Sequence, residues 1–170
     1  EPKLIVKSGR SRFSLATLPA SDFPNTEELP SQLELTIAQQ ELRGLVERTQ
    51  FAMAQQDVRY YLNGMLWEVK NHQLASVATD GHRMALINFP QGSTGGGGKK
   101  KGTDLTILIP RKALDEILRL ETGEDGNVAF GVSENQLFFE AGDRRLMARM
   151  IDVNFPNYME VIARDNDRKV

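Results

Sequence analysis

Few side chains in this sequence have the types and spacing for chemistry. His72 and His82 are its only histidines, and cysteine is absent, which removes thiol nucleophiles, disulfides and thiolate metal sites together. His82 follows Asp80-Gly81, and an aspartate two residues from a histidine could orient a general base. The same Asp-Gly pair is first a turn signal, and no Gly-x-Ser-x-Gly elbow supplies a nucleophile for such a base. His72 falls in a predicted turn, where water solvates it. No His-x-x-x-His, Glu-x-x-His or calcium-loop ladder occurs. Gly95–Gly98 run into lysines without the Gly-Lys-Ser/Thr of a phosphate loop. The residues therefore point to no catalytic group, no metal and no cofactor.

A more suggestive stretch is Gln55-Gln56-Asp57-Val58-Arg59-Tyr60-Tyr61-Leu62-Asn63-Gly64. Paired tyrosines beside an arginine offer stacking faces and a positive charge, a combination suited to nucleic acid or peptide. Residue types alone leave the alternative open, in which one tyrosine belongs to the core and the other caps it.

The elements that must position these groups follow from periodicity. Leu33–Ile37 alternates as a strand, and Leu42, Leu45, Val46, Thr49 and Met53 recur at helical spacing. Strands are predicted over 62–70, 73–79 and 82–89. A second series repeats the order: a strand at 105–109, a helix opened by Pro110 with Leu114, Ile117 and Leu118 inside, then strands at 127–132, 136–141 and 144–151. Asn71 and Ser133–Asn135 read as hairpin turns. The glycine- and lysine-rich stretch 91–102 joins the two series and reads as a solvated loop. Arg43 and Arg48 lie opposite the first helix's apolar stripe, and Arg111, Lys112 and Arg119 sit on the second, mixed with Glu41, Glu47, Asp115 and Glu116. Such a face can meet phosphate or be an ordinary salt-bridged surface.

A longer repeat is also present. Leu4–Gly9, Arg12-Phe13 and Phe23-Pro24-Asn25 resemble Leu137–Gly142, Arg145-Leu146 and Phe155-Pro156-Asn157 at an offset of 133 residues, one gap aside. A period of that length is a domain. Residues 1–25 then read as the end of one domain, 26–157 as a complete second domain with halves at about 31–90 and 104–152, and 158–170 as the lead into a third. The amino end has neither an initiator Met nor a signal-peptide pattern, and the chain reads as a piece of a longer protein.

Composition limits the partners. The 170 residues carry 21 Lys+Arg and 23 Asp+Glu, a net charge of -2, so phosphate contacts alone would not hold nucleic acid at physiological salt. No apolar run approaches the roughly 18 residues of a membrane span.

Asp57–Gly64, Ala78-Thr79-Asp80-Gly81-His82-Arg83, Phe155-Pro156-Asn157-Tyr158, Ser8–Leu15 and Ile109-Pro110-Arg111-Lys112 closely resemble the bacterial sliding clamps, the beta subunits of DNA polymerase III. The resemblance covers nearly the whole chain apart from the glycine-lysine loop. It implies an α+β fold with two βαβββ repeats per domain, antiparallel sheets outside and two helices on the inner face. It further implies a non-catalytic processivity factor: a homodimeric ring that encircles double-stranded DNA in the bacterial cytoplasm, on the nucleoid. Enclosure then replaces affinity, which suits the near-neutral charge.

Partners implied are the polymerase III alpha subunit, the clamp loader, and other polymerases or repair proteins, all bound through linear peptides. The matching pocket residues are Leu62, Thr79, Gly81, His82, Arg83, Met84, Pro156 and Val161, with the far wall in a third domain. Gln56, Arg59, Tyr60 and Tyr61 match a DNA-touching loop, joined by Arg43 and Arg48 on the helix. Arg10, Arg12, Phe13 and Leu15 match the strand that closes the ring. Met84 and Glu160 depart from the leucine and arginine familiar at those places.

Overall fold

The computed structural model describes residues 3–23, 33–70, 73–89, 105–120 and 126–162. Pro24, Asn25, Asn71, His72, the loop 91–102 and residues 163–170, all mentioned above, lie outside them. The chain divides into two units, residues 1–30 and 31–170.

The first unit is an antiparallel hairpin of β1 (Lys3–Ser8) and β2 (Ser11–Ala16), followed by a single 3-10 turn at Ala20–Asp22. Gly9 takes the left-handed backbone of the tight turn at φ 57°. The register sets Leu4 opposite Leu15 and Val6 opposite Phe13, so the pleat gathers four apolar side chains on one face.

In the second unit the elements run β3 (Leu33–Ala38), α1 (Gln39–Gln50), β4 (Gly64–Lys70), β5 (Gln73–Thr79), β6 (Met84–Phe89), β7 (Leu105–Pro110), α2 (Arg111–Leu118), β8 (Asn127–Ser133), β9 (Gln136–Ala141) and β10 (Arg144–Arg149). Strand, helix and three strands thus occur twice, in an α+β architecture. The pairing, however, exchanges the opening strands. One four-stranded antiparallel sheet has the order β10-β9-β8-β3 and the other β6-β5-β4-β7. Leu35 of the first half lies opposite Phe130 of the second, and Ile107 of the second opposite Trp67 of the first. Neither half closes its own sheet.

Several boundaries differ from the periodic reading, among them the start of β6 at Met84 and the end of β10 at Arg149. Pro110 keeps the extended backbone of β7 (ψ 146°) and the helix starts one residue later. Met53 lies beyond α1, because the chain turns at Gln50 and brings the Ala54 amide to the Leu62 carbonyl. Residues 60–63 wind into a 3-10 turn before β4 begins at Gly64.

Both helices pack on the inner faces of the sheets. Leu42, Leu45, Val46 and Thr49 of α1 and Ala113, Leu114 and Ile117 of α2 are buried there. Trp67 is fully buried and meets Phe130 and Phe139 edge-on at 5.5 and 6.1 Å between ring centres, so an aromatic cluster ties the two sheets. Thr49 Oγ1 donates to the Leu45 carbonyl at 2.7 Å and lies 3.1 Å from Ser76 Oγ, which satisfies these two buried hydroxyls.

The helices run antiparallel and grip each other's ends. Gln39 Nε2 donates to the Leu120 carbonyl (2.6 Å) and Arg43 Nη2 to that of Leu118 (2.9 Å). At the other end Gln50 Nε2 donates to Asp115, and Arg111 Nη2 reaches the carbonyls of Gln50, Met53 and Ala54 at 3.3–3.5 Å. A cation at the carboxyl end of α1 also complements its dipole.

The other face of the β4–β7 sheet is covered as well. Leu66, Val77 and Leu108 point outward and pack with Tyr158, flanked by Ile151, Val153 and Phe155. Burial on both faces explains why β4 is apolar at adjacent positions rather than alternating.

Candidate functional site

Two turns that are distant in sequence meet near the first residue of β6. In the first, Asp57 accepts from the Arg59 amide (2.8 Å), from Arg59 Nε (3.0 Å) and, through its other oxygen, from Arg59 Nη2 (2.8 Å). Asn63 brackets the same residue, accepting from the Asp57 amide and donating to its carbonyl. The arginine holds the Asp57 carboxyl well below its ordinary 3.8, at about 2, and the pairing raises the Arg59 guanidinium in turn.

In the second turn Asp80 accepts from the backbone amides of Arg83 (3.0 Å) and His82 (2.9 Å) and from Arg83 Nε (3.0 Å). Those backbone bonds, with the arginine, lower Asp80 to about 2 as well. Thr79 Oγ1 donates to the Arg83 carbonyl at 2.7 Å and accepts from the Gly81 amide at 3.1 Å. Gly81 has φ 89°, and a Cβ there would meet Arg59 Nη1 at 3.3 Å. The guanidinium of the first turn therefore lies against the glycine of the second. Arg83 also stands over the Phe51 ring at 5.8 Å.

The Asp80 carboxylate accepts from backbone amides and from Arg83, and the exposed His82 meets it through its own amide. Among the described residues no group of three or more His, Cys, Asp or Glu could hold a metal.

The other site residues fall in different surroundings. Leu62 is 2% exposed, so it is part of the packed interior, whereas Met84 is half-buried beside Tyr61 and Tyr158 in the outer cluster. Pro156 and Val161 are exposed. A groove of about 850 Å³ opens between β4, β7 and residues 150–159, and Pro156 is the one predicted pocket residue that lines it. Tyr60 is exposed, Tyr61 half-buried, and Gln56 is exposed at φ 56°.

On the helices Arg43 and Arg111 are engaged by carbonyls and Arg119 pairs with Glu116, leaving Arg48 and Lys112 exposed and without ion-pair partners among the described residues. Arg10, Arg12, Phe13 and Leu15 are exposed on the hairpin of the first unit.

Sequence reading passed over Glu68 and the burial of Tyr158, although the tyrosine directly follows the Phe-Pro-Asn triplet. The Tyr158 hydroxyl donates to Glu68 Oε2 at 2.6 Å, and burial together with this contact pushes its ionisation up to about 12.

Comparison with known proteins accords with this arrangement. A sequence profile of the DNA polymerase III beta subunit, central domain, matches residues 36–157. The chain is 46% identical over 171 residues to the beta sliding clamp of Pseudomonas aeruginosa, covering all of this chain and 45% of that protein. It is 40% identical to that of Escherichia coli over 166 residues, 98% of this chain and 43% of the other. The crystal structure of the DNA polymerase III subunit beta from Pseudomonas aeruginosa superposes with a TM-score of 0.80 at 45% identity, over 97% of this chain and 43% of that one. The chain thus spans less than half the length of the curated relatives it matches. With its duplicated half-domains, exchanged strands and paired inner helices, the chain belongs to the DNA polymerase III beta subunit family, the beta sliding clamps.

Proposed function

We propose that this chain is the central part of a non-catalytic processivity factor, a ring that encloses duplex DNA and is retained by topology. Residues 1–25 would end a first domain, 26–157 form the second, and 158–170 lead into a third. The observation that carries the reading is the antiparallel pair α1 and α2 on one side of two sheets, presenting few uncompensated cations. Weak, exchangeable phosphate contacts suit a protein that must slide, whereas a tightly bound basic groove would stall it. Arg48 supplies such a contact from the helix, and Gln56, Arg59, Tyr60 and Tyr61 supply stacking and hydrogen bonds from the adjoining turn. The strand bearing Arg10, Arg12, Phe13 and Leu15 closes the ring against a second subunit.

The test is retention on DNA. The full-length protein loaded onto a closed circle should remain through gel filtration and leave once the circle is cut. Equal retention on circular and linear DNA would overturn the reading.

The second role is capture of linear peptides from polymerases, the clamp loader and repair proteins. Met84, Pro156 and Val161 offer apolar contact, and the turn 79–83 offers a preformed polar rim. Met84→Lys should abolish binding of a short Gln- and Leu-rich peptide, because an ammonium group would enter the apolar contact; unchanged affinity would remove the pocket.

A further inference from the structure

After β10 the chain runs from Met150 to Asn157 without helix or strand. Its start is tied down by backbone: the Met150 amide donates to the Asn135 carbonyl (2.8 Å) and the Ile151 amide to that of Leu108 (2.9 Å). Beyond these, the hydrogen bond that returns the segment to the sheet among the described residues is Tyr158 to Glu68, between residues 90 apart in sequence. Glu68 lies in β4 and is also engaged by Lys70 Nζ at 3.2 Å. The Tyr158 ring, 8% exposed, packs with Leu66, Val77 and Leu108, and Met84 and Ile162 rest on the same cluster. By contrast Val161 is 72% exposed and Pro156 is also exposed. Side chains displayed in this way have few contacts of their own to fix their place. Their position is inherited from the buried residue between them.

We propose that the Glu68–Tyr158 hydrogen bond is a clasp that seats residues 151–162 on the sheet, making Glu68 a positioning residue for the wall formed by Pro156 and Val161. The inference rests on the peptide-pocket reading and adds to it a side chain that touches no peptide. A charge-assisted bond to a carboxylate is stronger than a neutral one, and its loss leaves a buried hydroxyl without an acceptor. A wall that is not held in advance must be ordered by the ligand, which lowers affinity.

The experiment is an NMR titration of the 15N-labelled chain with a synthetic Gln- and Leu-rich peptide, comparing wild type, Glu68→Ala, Glu68→Gln, Tyr158→Phe and Met84→Lys. Glu68→Ala and Tyr158→Phe should weaken binding about tenfold, the worth of one such bond. They should also speed hydrogen exchange of the amides of residues 153–162, while those of α1 and α2 stay protected. Glu68→Gln should restore both readouts in large part, since its amide oxygen accepts the same bond without the charge. Wild-type affinity in Glu68→Ala and Tyr158→Phe, with binding lost in Met84→Lys, would overturn the clasp and leave the pocket standing. No rescue by Glu68→Gln would likewise overturn it. Unchanged affinity in Met84→Lys would remove the pocket itself, and the clasp's role with it. If Glu68→Ala does not fold, Tyr158→Phe carries the same comparison, because it keeps the buried ring.

Discussion

The guanidinium of Arg59 lies across Gly81, with Nη1 3.3 Å from the point where a Cβ would stand. Two turns 22 residues apart are thereby locked, one by Asp57 and one by Asp80, and the glycine is what lets the arginine approach. Its conformational freedom serves this contact within the chain.

Gly81→Ala should accordingly cost about 1–3 kcal/mol from its left-handed backbone and, in addition, displace Arg59. Gly142→Ala, at φ 61° with nothing within 4 Å, isolates the backbone part. Thermal unfolding measures the cost of each. In an NMR titration only the Gly81 variant should move the Asp57 carboxyl back toward its ordinary 3.8.

Acid should open both turns. Asp57 and Asp80 are each lowered from 3.8 to about 2, so the stability they contribute is complete above pH 3.8 and is lost as pH falls through about 2. The amide resonances of Arg59, His82 and Arg83, bonded to these carboxylates, should shift across that window. Asp80→Asn should abolish the shift at His82 and Arg83 while leaving that at Arg59.

Trp67 tests the core that joins the sheets. It is fully buried against Phe130 and Phe139, and its Nε1 has no hydrogen-bond partner among the described residues. Trp67→Ala should cost about 3–5 kcal/mol in chemical denaturation followed by circular dichroism. Trp67→Phe should cost only about 1–2 kcal/mol, because it keeps an edge-on ring and gives up no hydrogen bond.

Arg111 and Arg48 separate a structural cation from one proposed to meet DNA. Arg111→Ala removes a charged donor from the carbonyls of Gln50, Met53 and Ala54 and should destabilise by about 1–3 kcal/mol. Arg48→Ala should leave stability within about 0.5 kcal/mol. In the full-length protein it should weaken DNA association and reduce the salt slope by about 1. An unchanged slope would take Arg48 off the DNA.

Most elements were legible along the chain, because alternation and helical spacing report which side of a strand or helix is buried. The duplication within the second unit was legible too, in the recurrence of strand, helix and three strands along the chain. What periodicity cannot report is the neighbour. Leu35 and Ile37 need a buried face, and that need is met equally by the strands of either half. The exchange of β3 and β7 is settled by packing, since it lets one aromatic cluster and one pair of helices serve both sheets. The same holds for polar groups: Arg59 facing Gly81 and Tyr158 facing Glu68 are contacts across 22 and 90 residues. Local order followed from side-chain chemistry read along the chain, whereas pairing across such separations depends on which of many compatible faces the closed core brings together.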